Sequence, residues 1–236
     1  RFITEFWTEN IIGSGTFGCV FKAMNLFDEI TYAVKGIALK SSDNINERTL
    51  GEVRRLAKLF HPGIVRYHSS WIEKPPKGWH VHIYSNGGNQ RQLMKHLKFF
   101  KIRLLSKLQY CHESMADWFD QHMDQRNQDK MRLWFKQIVL AVEYIHSKNM
   151  LHRDLKPNNI LVASEDTVKI CDLGISADST TGNTEGSLQL RTNVGTELYK
   201  APEQRVIYDK RVDIFSLGLI LIEMCVPLTI SQKHEV

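Results

Sequence analysis

The chain has 236 residues, a length that suits one large domain or a small lobe joined to a larger one. Hydrophobic residues make up 42% and charged residues 24%, enough apolar surface for a core, so disorder along the whole length is excluded. The net charge of +5 raises nucleic acid as a partner, but residues 74–101 hold five Lys, one Arg and no acid; the remainder is close to neutral, and direct nucleic-acid binding is not expected.

Residues 1–40 read as strands, with 20–24 and 31–35 flanking a hairpin connection at 25–29. Residues 45–60 change to helical period, with Leu50, Val53, Leu56, Ala57 and Phe60 on one face, and His61-Pro62-Gly63 stops the helix. A strand is expected over 64–72. The basic stretch opens on Pro75-Pro76 and contains Asn86-Gly87-Gly88-Asn89, so its first half reads as a loop and its end as a short helix before a strand at 102–108. From 114 the pattern is mostly helical, over 114–123 and 129–147. Two short strands follow at 160–162 and 168–171, then a polar, turn-rich stretch at 182–192 and a last helix at 212–225. Strands first and helices after describe an α+β protein of two lobes, 1–111 and 112–236.

Cys19, Cys111, Cys171 and Cys225 lie far apart with no C-x-x-C pair, and read as free thiols in a reducing compartment. No secretory leader pattern opens the chain. The most apolar run, 214–222, is about half the ~20 residues needed to span a bilayer. A cytoplasmic location is expected, with membrane anchoring of a longer parent left open.

Gly13-Ser14-Gly15-Thr16-Phe17-Gly18 fits G-x-G-x-x-G. In a dinucleotide site such glycines lead into a helix, whereas here they lead into the strand-like Cys19-Val20-Phe21-Lys22. The loop alone leaves two readings open: a hairpin with no ligand, and a hairpin whose backbone N–H groups lie over phosphates. Lys35, in an apolar strand further on, shifts the balance, because a lysine there needs an anion. Nucleotide phosphate is one anion on offer, and Glu52 on the following helix is another. Further along, His152-Arg153-Asp154-Leu155-Lys156-Pro157-Asn158-Asn159 precedes Asp172-Leu173-Gly174. Taken singly, Asp154 and Asp172 are turn or cap residues. With Asn159 they supply what phosphoryl transfer needs, a carboxylate near the attacking hydroxyl and two oxygen ligands for Mg²⁺.

With these motifs in this order, residues 6–224 resemble the eukaryotic protein kinases. The resemblance implies a bilobal fold, an antiparallel-sheet first lobe with one main helix and a mostly helical second lobe, with ATP and Mg²⁺ as cofactors. It makes Ile12, Gly13, Ser14, Gly15, Thr16, Phe17, Gly18, Cys19 and Val20 the loop over ATP, and Lys35 the partner of the phosphates and of Glu52. Leu108 becomes the gatekeeper, and Gln109 and Cys111 part of the hinge that meets adenine. Asp154 becomes the catalytic base, Lys156 the γ-phosphate neutraliser, and Asn159 and Asp172 the magnesium ligands. Ala201-Pro202-Glu203 matches the end of the activation segment, and Asp213 the buried aspartate that braces the catalytic loop. Lys156-Pro157, with Gly195-Thr196 before Tyr199, resembles the serine/threonine branch.

Residues 1–6, 56–59, 61–67 and 212–221 are similar to the kinases that phosphorylate the alpha subunit of translation initiation factor 2. Within that group they look closest to the endoplasmic-reticulum stress kinase (PERK) type, with the amino-acid-starvation sensor type a near neighbour. An insert between the fourth and fifth strands is typical of the group, and residues 74–101 occupy that place. The likeness implies that initiation-factor subunit as protein substrate, stress-dependent control of translation, and a homodimer formed through the first lobe.

Two residues depart from the pattern. Leu173 replaces the usual Phe but keeps apolar packing, and Lys200 stands where Met is usual, facing the segment that reads substrate. The chain stops at Val236, short of the family's last helices, so the second lobe is expected to be incomplete, with Phe215, Leu219 and Ile222 exposed and Glu203 lacking its arginine. A catalytically silent nucleotide-binding or dimerisation module is therefore the rival reading. For regulation, Arg153 beside Asp154 calls for an anion from the activation segment, and Thr192 is the expected phosphate carrier. The Thr196 hydroxyl is expected near Asp154 and Lys156.

Overall fold

The computed structural model describes residues 1–15, 18–39, 47–74, 102–123, 126–173, 197–202 and 209–226. Thr16, Phe17, Thr192, Thr196, Glu203 and nearly all of the basic stretch lie outside the described residues, as does the side chain of Glu52. The chain divides into two compact units, one of Arg1–Leu59 and Arg66–Tyr110, the other of Phe60–Val65 and Cys111–Val236.

The first unit is built on α1 (Phe2–Glu5), β1 (Phe6–Gly15), β2 (Gly18–Asn25), β3 (Thr31–Leu39), α2 (Glu47–Lys58), β4 (Tyr67–Glu73) and β5 (Ile102–Gln109). Its sheet runs β1-β2-β3-β5-β4, antiparallel throughout. Alternation sorts the side chains. Phe21, Tyr32, Val34 and Leu105 face one side and bury against Phe2 and Phe6, each large side chain contributing roughly 1.5–3 kcal/mol. Ile37, Leu39 and Leu104 face the other side, where Val53 of α2 packs. The turn between β2 and β3 is set by Asn25, whose side-chain oxygen accepts the N–H groups of Phe27 (3.0 Å) and Asp28 (3.2 Å).

Two expectations need correction here. Residues 2–5 are one helical turn and not strand: the turn brings Phe2 and Phe6 together (5.6 Å between ring centroids), with Phe2 also on Phe21 (5.5 Å). The strand expected from residue 64 begins at Tyr67. Ile64 and Val65 belong to the second unit, where Val65 N–H donates to the Ile170 carbonyl (2.9 Å) and Ile170 N–H to the Gly63 carbonyl (2.8 Å).

The second unit contains β6 (Glu113–Ser114), α3 (Met115–Gln121), α4 (Gln128–Ser147), β7 (Ile160–Ser164), β8 (Thr167–Ile170) and α5 (Arg211–Cys225), with short 3₁₀ turns at Pro157–Asn159 and Glu197–Tyr199. Its small sheet has the order β6-β7-β8. Ser114 and Asp117 close a reciprocal capping box at the start of α3. Asn127 caps α4 by accepting the N–H groups of Asp129 (2.8 Å) and Lys130 (3.2 Å), an arrangement contributing about 1 kcal/mol. Met131, Trp134, Ile138, Ala141, Val142 and Ile145 then recur at helical spacing on the buried face of α4. On α5, Val212, Asp213, Ser216, Leu217, Ile220, Glu223 and Met224 are buried, whereas Phe215 and Ile222 are exposed, as expected, and Leu219 is half-buried. Among the described residues, no helix is long and apolar enough to cross a membrane.

Candidate active site

In the first unit, β1 and β2 form a tight hairpin in which Gly13 pairs with Val20, Ser14 with Cys19 and Gly15 with Gly18. Gly18 has φ of 150°, and a Cβ there would lie 1.9 Å from the Gly36 carbonyl oxygen, so only glycine fits. A Cβ on Gly13 would meet only the Val20 side chain at 3.7 Å, an ordinary contact. Packing therefore does not explain the glycine at 13, and close approach of a ligand's phosphate would. Lys35 sits on β3 opposite Val20 of β2 and Ser106 of β5, on the sheet face turned away from the aromatic core. Leu108, opposite Ala33, shares that face. Gln109 ends β5, with its N–H on the Arg66 carbonyl (2.8 Å).

The second unit holds the Asp154 loop. Its frame is Asp213, wholly buried on the first turn of α5. One carboxylate oxygen accepts the backbone N–H of His152 (2.9 Å) and meets His146 Nε2 (2.7 Å), and the other accepts the N–H of Arg153 (2.8 Å). Burial alone would push this carboxyl up; the hydrogen bond from His146, the nearby His152 and the two backbone donors outweigh it and hold the group below its ordinary value. The brace ties down a strained stretch, since Arg153 has φ of 69°.

On that frame Asp154 receives two donor groups. Lys156 Nζ lies 3.0 and 3.2 Å from its two carboxylate oxygens, and Asn159 Nδ2 donates to one of them (2.9 Å) and to the Asp154 carbonyl (2.7 Å). His152, fully buried, links the loop to the next motif: its Nε2 meets the Cys171 carbonyl (2.9 Å), while Cys171 N–H donates to the Asn159 carbonyl (2.9 Å). Asp172 follows, exposed at φ of 58°, and Leu173 beside it is buried, as apolar packing at that position requires. The structure thus brings Asp154, Lys156 and Asn159 together and holds Asp172 next to a residue bonded to Asn159. Cys111 opens the second unit, and burial pushes its thiol up to about 11.

Because the Asn159 amide nitrogen is used on Asp154, its oxygen is the end left for a cation. That oxygen and the Asp172 carboxylate are hard donors of the kind magnesium takes. Two are too few for a cage made by protein alone, and suit an ion that draws its remaining ligands from phosphate and water.

Sequence reasoning named Asp213 but missed its partner His146 and the bonds that hold Tyr199. His146 carries no motif and is found only through its bond to Asp213. Tyr199 is anchored by its buried hydroxyl, which donates to the Glu223 carboxylate, and by its carbonyl, which accepts from Ser216 Oγ (2.7 Å). These bonds fix the turn just before Ala201-Pro202 on α5.

A five-stranded antiparallel unit with a glycine hairpin and a strand lysine, joined to a helical unit bearing this aspartate loop, defines the protein-kinase class of fold. The chain belongs to the protein kinase domain family, whose profile matches residues 6–236. It is 36% identical to the rat interferon-induced, double-stranded RNA-activated protein kinase over 242 residues, which is 100% of this chain and 44% of that protein. It is 28% identical to the Schizosaccharomyces pombe eIF-2-alpha kinase GCN2 (99% of this chain, 20% of that one) and 26% identical to the human GCN2 (95% and 21%). The chain therefore spans less than half the length of these relatives.

Proposed function

We propose that this chain is the catalytic domain of an ATP-dependent serine/threonine kinase whose protein substrate is the alpha subunit of translation initiation factor 2. The observation that carries the reading is the convergence of Lys156 and Asn159 on the Asp154 carboxylate. In the reaction, the substrate hydroxyl oxygen bonds to the γ-phosphorus, its proton passes to Asp154, and the bond to the β–γ bridging oxygen breaks to release ADP. Lys156 offsets charge on the transferring group and keeps Asp154 oriented. Gly13, Ser14, Gly15 and Gly18 present backbone N–H groups to the phosphates, and Lys35, with Glu52 as its partner, neutralises them. Gln109 and Cys111 belong to the hinge that meets adenine, with Leu108 as gatekeeper and Val20 in the loop over ATP. Asn159 and Asp172 would hold magnesium, which when bound neutralises phosphate charge.

The substrate assignment is supported by the likeness of residues 1–6, 56–59, 61–67 and 212–221 to the initiation-factor kinases and by the names of the GCN2 relatives. The relatives reported are of the double-stranded-RNA-activated and GCN2 types, so the proposal is made for the group and not for its endoplasmic-reticulum stress type. Homodimerisation through the first unit and a cytoplasmic site of action belong to the same proposal.

The test is transfer from γ-labelled ATP to the recombinant alpha subunit, with the labelled residue mapped. Phosphoserine or phosphothreonine on that subunit is expected, with Lys35→Ala and Asp172→Ala each reducing transfer at least about a hundredfold. Label on tyrosine, or near-normal transfer by either variant, contradicts the reading.

A further inference from the structure

One turn of α5 carries two loops. Asp213 accepts the backbone N–H groups of His152 and Arg153, and Ser216, three residues on, donates its Oγ to the Tyr199 carbonyl (2.7 Å). Side chains three apart on a helix are neighbours, with ~5–6 Å between their Cβ atoms. Asp154 is the residue after Arg153 and Lys200 the residue after Tyr199, so each begins one residue, ~3.8 Å of chain, from a group held on the same turn. All of these residues belong to the second unit.

The backbone that presents Lys200 is fixed on both sides. Tyr199 before it is buried, with its hydroxyl on the Glu223 carboxylate, and Ala201 after it is 3% exposed. Lys200 between them is half-buried, and among the described residues its ammonium makes no ion pair or hydrogen bond. Neighbouring cations are engaged. Lys156 lies 3.0 and 3.2 Å from the Asp154 oxygens, and Arg126 donates to the Glu223 carbonyl and lies over the Phe119 ring (4.3 Å).

A cation mounted on a fixed turn loses little further freedom when another chain brings it an anion, and it repels a chain that brings a second cation. Lys200 stands where an apolar Met is usual, so this charge is a property of the present sequence. A protein substrate must place its hydroxyl at Asp154, and its chain extends at most ~3.3–3.6 Å per residue. A residue one or two places from that hydroxyl therefore comes within reach of the Lys200 ammonium.

We propose that Lys200 is a specificity-determining residue: it selects protein substrates with Asp or Glu one or two residues from the hydroxyl to be phosphorylated, and disfavours Lys or Arg there. The proposal rests on the kinase reading and narrows its substrate class.

The probes are peptides with a single Ser in an Ala-Gly background, in which Asp, Ala or Arg stands in turn at each of the two positions on either side of the Ser. Transfer from γ-labelled ATP by the full-length protein is read as kcat/KM. At one of these positions Asp is expected to exceed Ala about fivefold, with Arg below both. Lys200→Met removes the difference, and Lys200→Glu inverts it, so that Arg is preferred at that same position. Loss of structure lowers all rates together and inverts no preference. Absence of any position at which Asp exceeds Ala, or an Asp preference retained by Lys200→Glu, overturns the proposal. Labelling of the recombinant alpha subunit, run alongside, separates the two readings. A labelled subunit with no Asp preference among the peptides removes the role of Lys200 and leaves the kinase reading standing. No label on the subunit or on any peptide defeats the kinase reading, and the role of Lys200 falls with it.

Discussion

Asp213 shows how a single buried carboxylate sets the geometry of its neighbours. It has no solvent exposure, yet it stays charged because His146 and the backbone N–H groups of His152 and Arg153 surround it. Its folded pKa lies below the ordinary value of 3.8. The stability it contributes is therefore complete well above that value and is lost as pH falls through 3.8 toward the lower folded value. Asp213→Asn replaces one acceptor oxygen by a donor facing N–H groups, and should cost about 3 kcal/mol at pH 7. Urea midpoints measured from pH 7 down to pH 3 should also show a shallower acid limb in the variant. An acid limb identical to the parent's would mean that Asp213 is not the group being titrated. Asp213 was legible in the sequence through its family position, but His146 was not, since a histidine on a helix carries no sign of which carboxylate it will meet.

At the scale of elements, α5 serves as a shared support. Asp213, near its start, holds the catalytic loop, while Ser216 and Glu223, further along the same buried side, hold Tyr199. Burial, and then the bond to Glu223, push the Tyr199 hydroxyl far above its ordinary range, so it acts as a permanent donor. Tyr199→Phe removes that donor from a buried carboxylate and should lower stability by about 1.5–3 kcal/mol in urea unfolding. An unchanged midpoint would show that the turn is held by the Ser216 bond alone. Elements with strong periodicity were legible: α4 starts one residue before the expected position, and β2, β3 and β5 contain the expected strands. What failed was structure set by contacts distant in sequence. The pairing of Ile64 with Ile170, the two-residue β6 and the helical turn at 2–5 have no local pattern of their own.

At the scale of the molecule, the proposed chemistry is divided between the units, with the glycine hairpin and Lys35 in the first and Asp154, Asn159 and Asp172 in the second. Both halves of that proposal come from short, contiguous motifs, which demand particular residues at fixed spacing. Regulation is less exposed to such reading. Thr192, outside the described residues, is the proposed carrier of an activating phosphate that would bring about −1.5 to −2 charge toward Arg153. Thr192→Ala in the full-length protein should lower substrate phosphorylation, with phosphate mapped to Thr192 in the parent. Unchanged activity with no phosphate found there removes that switch. The central claim is that Asp154, held by Lys156 and Asn159, accepts the proton of the attacking hydroxyl. It is tested most directly by single-turnover transfer from γ-labelled ATP by the parent and by Asp154→Asn. The account predicts a fall of about 10²–10⁴-fold with ATP binding retained; transfer within a few-fold of the parent would contradict it.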